Sequence, residues 1–319
     1  MNYNTVSLIL AIIFFLLIIL STIWWFQYKI LFFPVQKLKW YPNFPFEQNI
    51  LDITGKSVFK GVTNDPLTPN FTNSYPNTIH LWYFNFSGNT QNTTVLFCHG
   101  NNGNISYRSY IIDICKYLSL NVILFDYRGY GKSNGIPTQD TICQDGLAVY
   151  TYLSQFCPPE NIIIWGESLG GAVAVDIASK RVCSHLICMC TFSSLDDIIT
   201  NKNHPRWLTL PTSTLIKYLC NTLPNSKRIQ NVKCPTVVMH SKNDEIIPYS
   251  CAKRLFDSIS HVNKLFLKIS GTHSSPDISL LQFFSMLRFC NIPLPINKDL
   301  TYINSWLDEL KSSPFTKFS

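Results

Sequence analysis

The 319-residue sequence predicts an α/β protein: a mostly parallel sheet of about eight strands with helices on both faces, a small cap, and one apolar helix ahead of the domain. Three observations carry this expectation. Short apolar, β-branched runs alternate with helix-length amphipathic stretches along most of the chain. A run of about 21 residues near the start holds no charge. Charged residues make up only 14% of the chain, against roughly 25% in a typical soluble domain, so part of it is expected in lipid or in a large core.

The uncharged run spans Val6 to Phe26. At about 1.5 Å per residue it covers about 31 Å, close to the roughly 30 Å hydrocarbon core of a bilayer. Trp24 and Trp25 close it and Tyr28 and Lys29 follow, the aromatic and basic residues that sit well at a membrane interface. A cleaved signal peptide would need a basic leader, a shorter apolar stretch and a small-residue cleavage site, and the sequence offers none clearly, so residues 1–27 read as a single-pass transmembrane anchor. Lys29, Lys37 and Lys39 come after the span and no Lys or Arg comes before it, which slightly favours a body facing the cytosol. Glycosylation sequons at Asn70, Asn85, Asn92 and Asn104 point the other way, though a chain rich in Asn, Ser and Thr holds about that many by composition.

Residues 28–48 mix aromatics, lysines and prolines without a helical or strand period and read as an interfacial connector. Regular patterning fills the domain at 49–319. Runs at about 58–63, 79–84, 94–98, 121–126, 161–165, 185–190, 235–240 and 264–269 read as strands. Helical stretches at 106–119, 141–156, 169–180 and 249–259 lie between the later ones, and strand-helix-strand alternation implies parallel strands buried on both faces. The segment at about 195–233 has its own composition and reads as the cap.

Composition excludes several classes of function. The net charge of +7 is scattered, with no basic run and no aromatic interleaving, so nucleic acid is not an expected partner. Eleven cysteines are irregularly spaced, with no Cys-x-x-Cys pair and no zinc-ligand spacing, and read as buried small residues in a reducing setting. No metal and no organic cofactor is implied.

The chemistry concentrates at IIIWGESLGGAVA, where an apolar strand runs into Gly166-Glu167-Ser168-Leu169-Gly170 and then a helix of small residues. Gly-x-Ser-x-Gly in a strand-turn-helix setting marks Ser168 as a nucleophile held at the carboxyl edge of the sheet. Its hydroxyl needs a base, and His273, in the loop after the last apolar strand, opens at the same edge. His80, His185 and His240 lie in or beside apolar strands and are expected to be packed. The imidazole needs a carboxylate, and Asp244, at the end of PTVVMHSKND, follows the chain order Ser, Asp, His; Glu245 is expected on the opposite side of its turn, and Asp196 or Asp197 is the competitor. The oxyanion of an acyl-transfer intermediate requires two N–H donors, assigned to the backbone of Leu169 and Asn101. His99 reads as shaping the Asn101 loop, and Asp126 and Arg128 as holding a turn.

Together and in order, HGNNGN, FDYRGYGKS, GESLGGA, HSKNDEIIP and SGTH resemble the serine hydrolases of the α/β-hydrolase superfamily, and within it the membrane-anchored alpha/beta hydrolase domain-containing protein 13 group. The resemblance runs from Val6 to about Phe289. It implies the α/β-hydrolase fold, a triad of Ser168, Asp244 and His273, and oxyanion amides at Asn101 and Leu169. Ser274 and Ser275 stand where Asn-Asp often follows the family histidine, which bears on substrate choice. The expected activity is cleavage of acyl ester or thioester bonds in a lipid-like or acyl-protein substrate. A serine peptidase of the same fold and an inactive scaffold are the alternatives.

Overall fold

In the computed structural model the described residues are 3–26, 32–63, 77–88, 93–199 and 223–293. The sequons at Asn70 and Asn92 and most of the expected cap, including residues 207–222, lie outside them. The first helix, α1 (Tyr3–Phe26), is 24 residues long and carries no charged side chain. Its apolar residues are exposed around the helix, Leu8, Phe14 and Phe15 each by more than 60%. Among the described residues, no helix is long and apolar enough to cross a membrane.

The domain is built on ten strands: β1 (Phe46–Leu51), β2 (Ser57–Thr63), β3 (Ile79–Phe84), β4 (Thr94–Cys98), β5 (Asn121–Phe125), β6 (Ile162–Glu167), β7 (His185–Met189), β8 (Thr236–Ser241), β9 (Lys264–Gly271) and β10 (Pro276–Asp277). They form one sheet in the order β10-β9-β8-β7-β6-β4-β5-β3-β1-β2. The block from β5 to β9 is parallel, and the two flanks are antiparallel. Ten strands replace the expected eight or so, for two reasons. β10 is only two residues, too short for a pattern. β1 reads FEQNIL, and its Gln48 and Asn49 are buried inside the sheet, Gln48 against His80 at 3.1 Å, so the polar residues hide the strand period.

The parallel strands are apolar on both faces. Along β4, Leu96 and Cys98 enter one core while Val95 and Phe97 enter the other, the two-residue alternation of a sheet covered on both sides. The first core is closed by α3 (Gln139–Leu153) and α4 (Leu169–Lys180), through Ile142, Val149, Val173 and Ile177. The second is closed by α2 (Ser109–Tyr117), through Ile111 and Ile112, and by a helix at Leu280–Phe289, through Phe283 and Met286. Each such side chain contributes roughly 1.5–3 kcal/mol on burial. α3 begins on a capping box at Thr138, with Thr141 returning the bond.

Strand β1 begins at Phe46, within the segment read as connector, and packing onto the domain starts earlier still. Phe32 is buried, Pro34 bridges Gly103, and Trp40, Tyr41 and Phe44 meet the rings of Trp82 and Phe84. The ten described cysteines are all buried and none forms a disulfide.

Candidate active site

Strand β6 delivers Ser168 to the carboxyl edge of the sheet, one residue before α4. Ser168 has φ 52° and ψ −118°, a left-handed region costly for a residue with a side chain, by about 1–3 kcal/mol. Its backbone is held on both sides: the N–H donates to Met189 O at 2.9 Å, and the carbonyl accepts from Gly171 N at 3.0 Å and Thr191 Oγ1 at 2.7 Å. Glycine is required after it, because a Cβ on Gly170 would lie 2.0 Å from the carbonyl oxygen of Cys98. That close approach lets α4 begin beside the end of β4.

The loop after β8 supplies the carboxylate. Asp244 Oδ1 accepts from the backbone N–H groups of Ile246 and Ile247, at 3.0 and 2.7 Å, which leaves Oδ2 aimed at the next loop. There His273 Nδ1 stands 2.8 Å away, while His273 Nε2 is 3.0 Å from Ser168 Oγ. The sheet thus joins three distant positions into one hydroxyl-imidazole-carboxylate chain. Ser241 Oγ donates to Gly271 O and fastens the two loops to each other.

Glu245 does not point away as its neighbouring position implied. Its carboxylate accepts the backbone N–H of His273 at 2.9 Å, so the tight turn after Asp244 presents both acids to the histidine loop. Asp197 is engaged elsewhere, with Ser193 and Arg254. His80, His185 and His240 are buried as expected. His240 donates from Nε2 to Ile247 O at 2.9 Å and packs under Asp244.

Electrostatics favour a charged His273. Burial alone would lower its pKa, but the hydrogen bond and charge of Asp244, then the charges of Glu167 and Glu245, outweigh burial and raise it above the ordinary 6.5. His99 behaves in the opposite way: burial brings it down to about 4, so it is neutral at ordinary pH. It bonds Gly100 O at 2.7 Å and lies against Tyr127, shaping the loop. Asp126 accepts from Ile105 N at 2.9 Å, and Arg128 pairs with Asp145 at 2.6 Å, so both hold the local backbone.

Leu169 opens α4, and Asn101 follows Gly100, where an added Cβ would come 3.4 Å from Ser168 Cβ. Both assigned oxyanion residues therefore border the serine. Sequence reasoning missed the cluster behind them. Arg108, almost fully buried, pairs with Glu167 at 3.1 Å and donates to Asn102 O at 2.7 Å; Tyr110 donates to Glu167 at 2.8 Å. The signal was the charge of Glu167 inside the motif, since a carboxylate beside a buried turn needs a partner. Among the described residues, Cys190, His240 and Asp244 bring donor atoms within 4.8 Å of one another. A metal there would have to take Asp244 from His273.

Comparisons with known proteins bear on the family and the fold. A family model described as alpha/beta hydrolase fold matches residues 93–219. An uncharacterized protein of Mycobacterium tuberculosis is 32% identical over 199 residues, covering 62% of this chain and 68% of the relative. The chain belongs to the α/β-hydrolase superfamily. Another relative is the lysophosphatidylserine lipase ABHD12 of Danio rerio, 27% identical over 198 residues, which are 55% of this chain and 49% of the relative. The chain thus matches about half the length of that lipase. Protein bem46 of Schizosaccharomyces pombe is 30% identical over 179 residues, 54% of this chain and 58% of its own. Among solved structures, the Pyrococcus furiosus esterase Pf2001 superposes with a TM-score of 0.57 at 17% identity, covering 86% of this chain and 99% of the esterase, a likeness of fold.

Proposed function

We propose that the chain is a membrane-anchored serine hydrolase that cleaves acyl ester or thioester bonds through an acyl-enzyme, and that it sits in the alpha/beta hydrolase domain-containing protein 13 group. The observation that carries this reading is the unbroken chain from Ser168 Oγ through His273 to Asp244, on a serine held at φ 52°. His273 Nε2 takes the hydroxyl proton as Ser168 Oγ attacks the acyl carbon. Asp244 fixes the tautomer and stabilises the imidazolium that forms. The backbone N–H groups of Leu169 and Asn101 receive the oxyanion, each contributing about 3 kcal/mol to the transition state. His273 then returns the proton to the departing alcohol or thiol, and water releases the acyl group by the same steps in reverse.

A lipid-like acyl group is supported by the lipase relative, by the apolar cap sequence at 207–223 with Lys217 its one charge, and by the apolar helix α1. The uncharged run of about 21 residues from Val6 to Phe26 is the sequence feature that supports the anchor. Lys29, Lys37 and Lys39 support a cytosolic body. The test is a series of p-nitrophenyl esters from about two to sixteen carbons, with Ser168→Ala as control. Transfer at about 0.8 kcal/mol per buried methylene raises kcat/KM by up to roughly 15-fold for each added carbon pair until the pocket is full. A steady fall beyond about four carbons, with cleavage of amino-acid amides, overturns the lipid reading in favour of a peptidase.

A further inference from the structure

The segment after α1 is sewn to the loop that carries Asn101. Phe33 N–H donates to Asn101 Oδ1 at 3.2 Å, and Pro34 forms a parallel bridge with Gly103. The carboxamide nitrogen of Asn104 donates to Val35 O at 2.9 Å and to Lys37 O at 3.0 Å. Lys39 N–H donates to Ser106 Oγ at 2.7 Å. Asn104 is fully buried, and its Oδ1 accepts from the backbone N–H and the hydroxyl of Ser106, at 3.0 and 2.6 Å. Both donors and the acceptor of one side chain are thereby committed, so this asparagine, which looks like a glycan acceptor in the sequence, is a knot. Asn101 Oδ1 in addition takes the Tyr130 hydroxyl at 2.7 Å.

The opposite side of the same loop faces the nucleophile. A Cβ added to Gly100 would come 3.4 Å from Ser168 Cβ, and Arg108 ties Asn102 O to Glu167, the residue before Ser168. Residues 100–106 therefore lie between the connector and the nucleophile turn, gripped from both.

We propose that residues 33–39 form a strap that sets the Asn101 N–H in the oxyanion hole, and that the side chains of Asn101 and Asn104 are the positioning residues through which the strap acts. The proposal rests on the reading of the Asn101 amide as an oxyanion donor. A small displacement of a donor weakens a bond made chiefly in the transition state, so loosening the strap lowers kcat and spares substrate binding. The His273 and Asp244 side of the site makes no contact with the strap among the bonds described, so the pH dependence stays where it is.

The experiment uses the full chain in detergent micelles with p-nitrophenyl butyrate as probe. Asn104→Asp keeps the acceptor for Ser106 and removes both donations to the strap. Asn101→Ala removes the acceptor for Phe33 and Tyr130 while leaving the backbone amide. Both variants are expected to lower kcat by roughly 10–100-fold, less than the roughly 10²–10³ of losing a donor outright. KM is expected within about twofold and the midpoint of the acid limb unchanged. Asn101→Asp, which keeps the acceptor, is expected to recover most of the loss. Unchanged kcat in both folded variants overturns the proposal, as does a loss that appears in KM or shifts the pH profile. If Asn104→Asp does not melt cooperatively, Asn101→Ala and its Asp rescue decide alone. Activity surviving in Ser168→Ala would instead overturn the hydrolase reading itself.

Discussion

His273 stands where two opposing influences on an imidazole meet: burial favours its neutral form, and the acids around it favour its charged form. The acids prevail, so the free protein holds the imidazolium to a higher pH than an ordinary histidine. A general base must be neutral, so kcat/KM should rise with pH with a midpoint above the ordinary 6.5. Glu245→Gln removes one of the charges that raise the pKa, and the midpoint should move to lower pH; movement upward, or none, would contradict the role given to Glu245. The same shift bears on stability. Because the folded-state pKa exceeds the unfolded one, the imidazolium adds stability that is fully present below the unfolded value and is lost as pH rises through the folded one. Asp244→Asn should lower turnover by about 10⁴-fold, since the amide leaves geometry but not the correct tautomer. Near-normal turnover in that variant would remove Asp244 from the triad.

The nucleophile element depends on three segments fitting together: the end of β4, the turn after β6 and the start of α4. Gly170→Ala would drive a methyl into the Cys98 carbonyl at 2.0 Å, where only backbone can yield. A cost of at least about 2 kcal/mol is expected, read as a fall in Tm together with loss of activity. Behind the turn, Arg108→Met should destabilise the fold by about 3–5 kcal/mol, because Glu167 would be left without its cation, and adding Glu167→Gln should recover part of it. These elements also show how far the sequence could be read. Ser168, Asp244 and His273 were legible because each ends an apolar strand, and strand ends share one edge of a parallel sheet. β1 was not, since Gln48 and Asn49 are polar yet buried, Gln48 against His80 of β3. Glu245 was misplaced because a tight turn does not obey strand alternation. The strap was illegible because its partners lie 67 to 69 residues away, and nothing local marks residues 33–39 as docked.

At the scale of the whole molecule, the strap limits how far the catalytic edge can stand from α1. Seven peptide steps join Phe26 to Phe33, and at about 3.6 Å each they reach at most about 25 Å. Anchored in a bilayer by α1, the protein would hold Asn101 and Ser168 close to the lipid surface. Deleting residues 1–27 should leave hydrolysis of p-nitrophenyl butyrate unchanged, because the strap begins after the cut, and should slow cleavage of an ester carried in phosphatidylcholine vesicles at least about tenfold by lowering its effective concentration. Equal rates on the vesicle ester, or release of the full chain from membranes by high-pH carbonate, would contradict the anchor. The most direct measurement addresses the nucleophile itself. The full chain is treated with a fluorophosphonate and its intact mass and peptide map are recorded. One adduct on Ser168 is expected, absent from Ser168→Ala and formed at least about a thousandfold more slowly by His273→Ala. An adduct on another residue, or undiminished labelling of Ser168→Ala, would contradict the account.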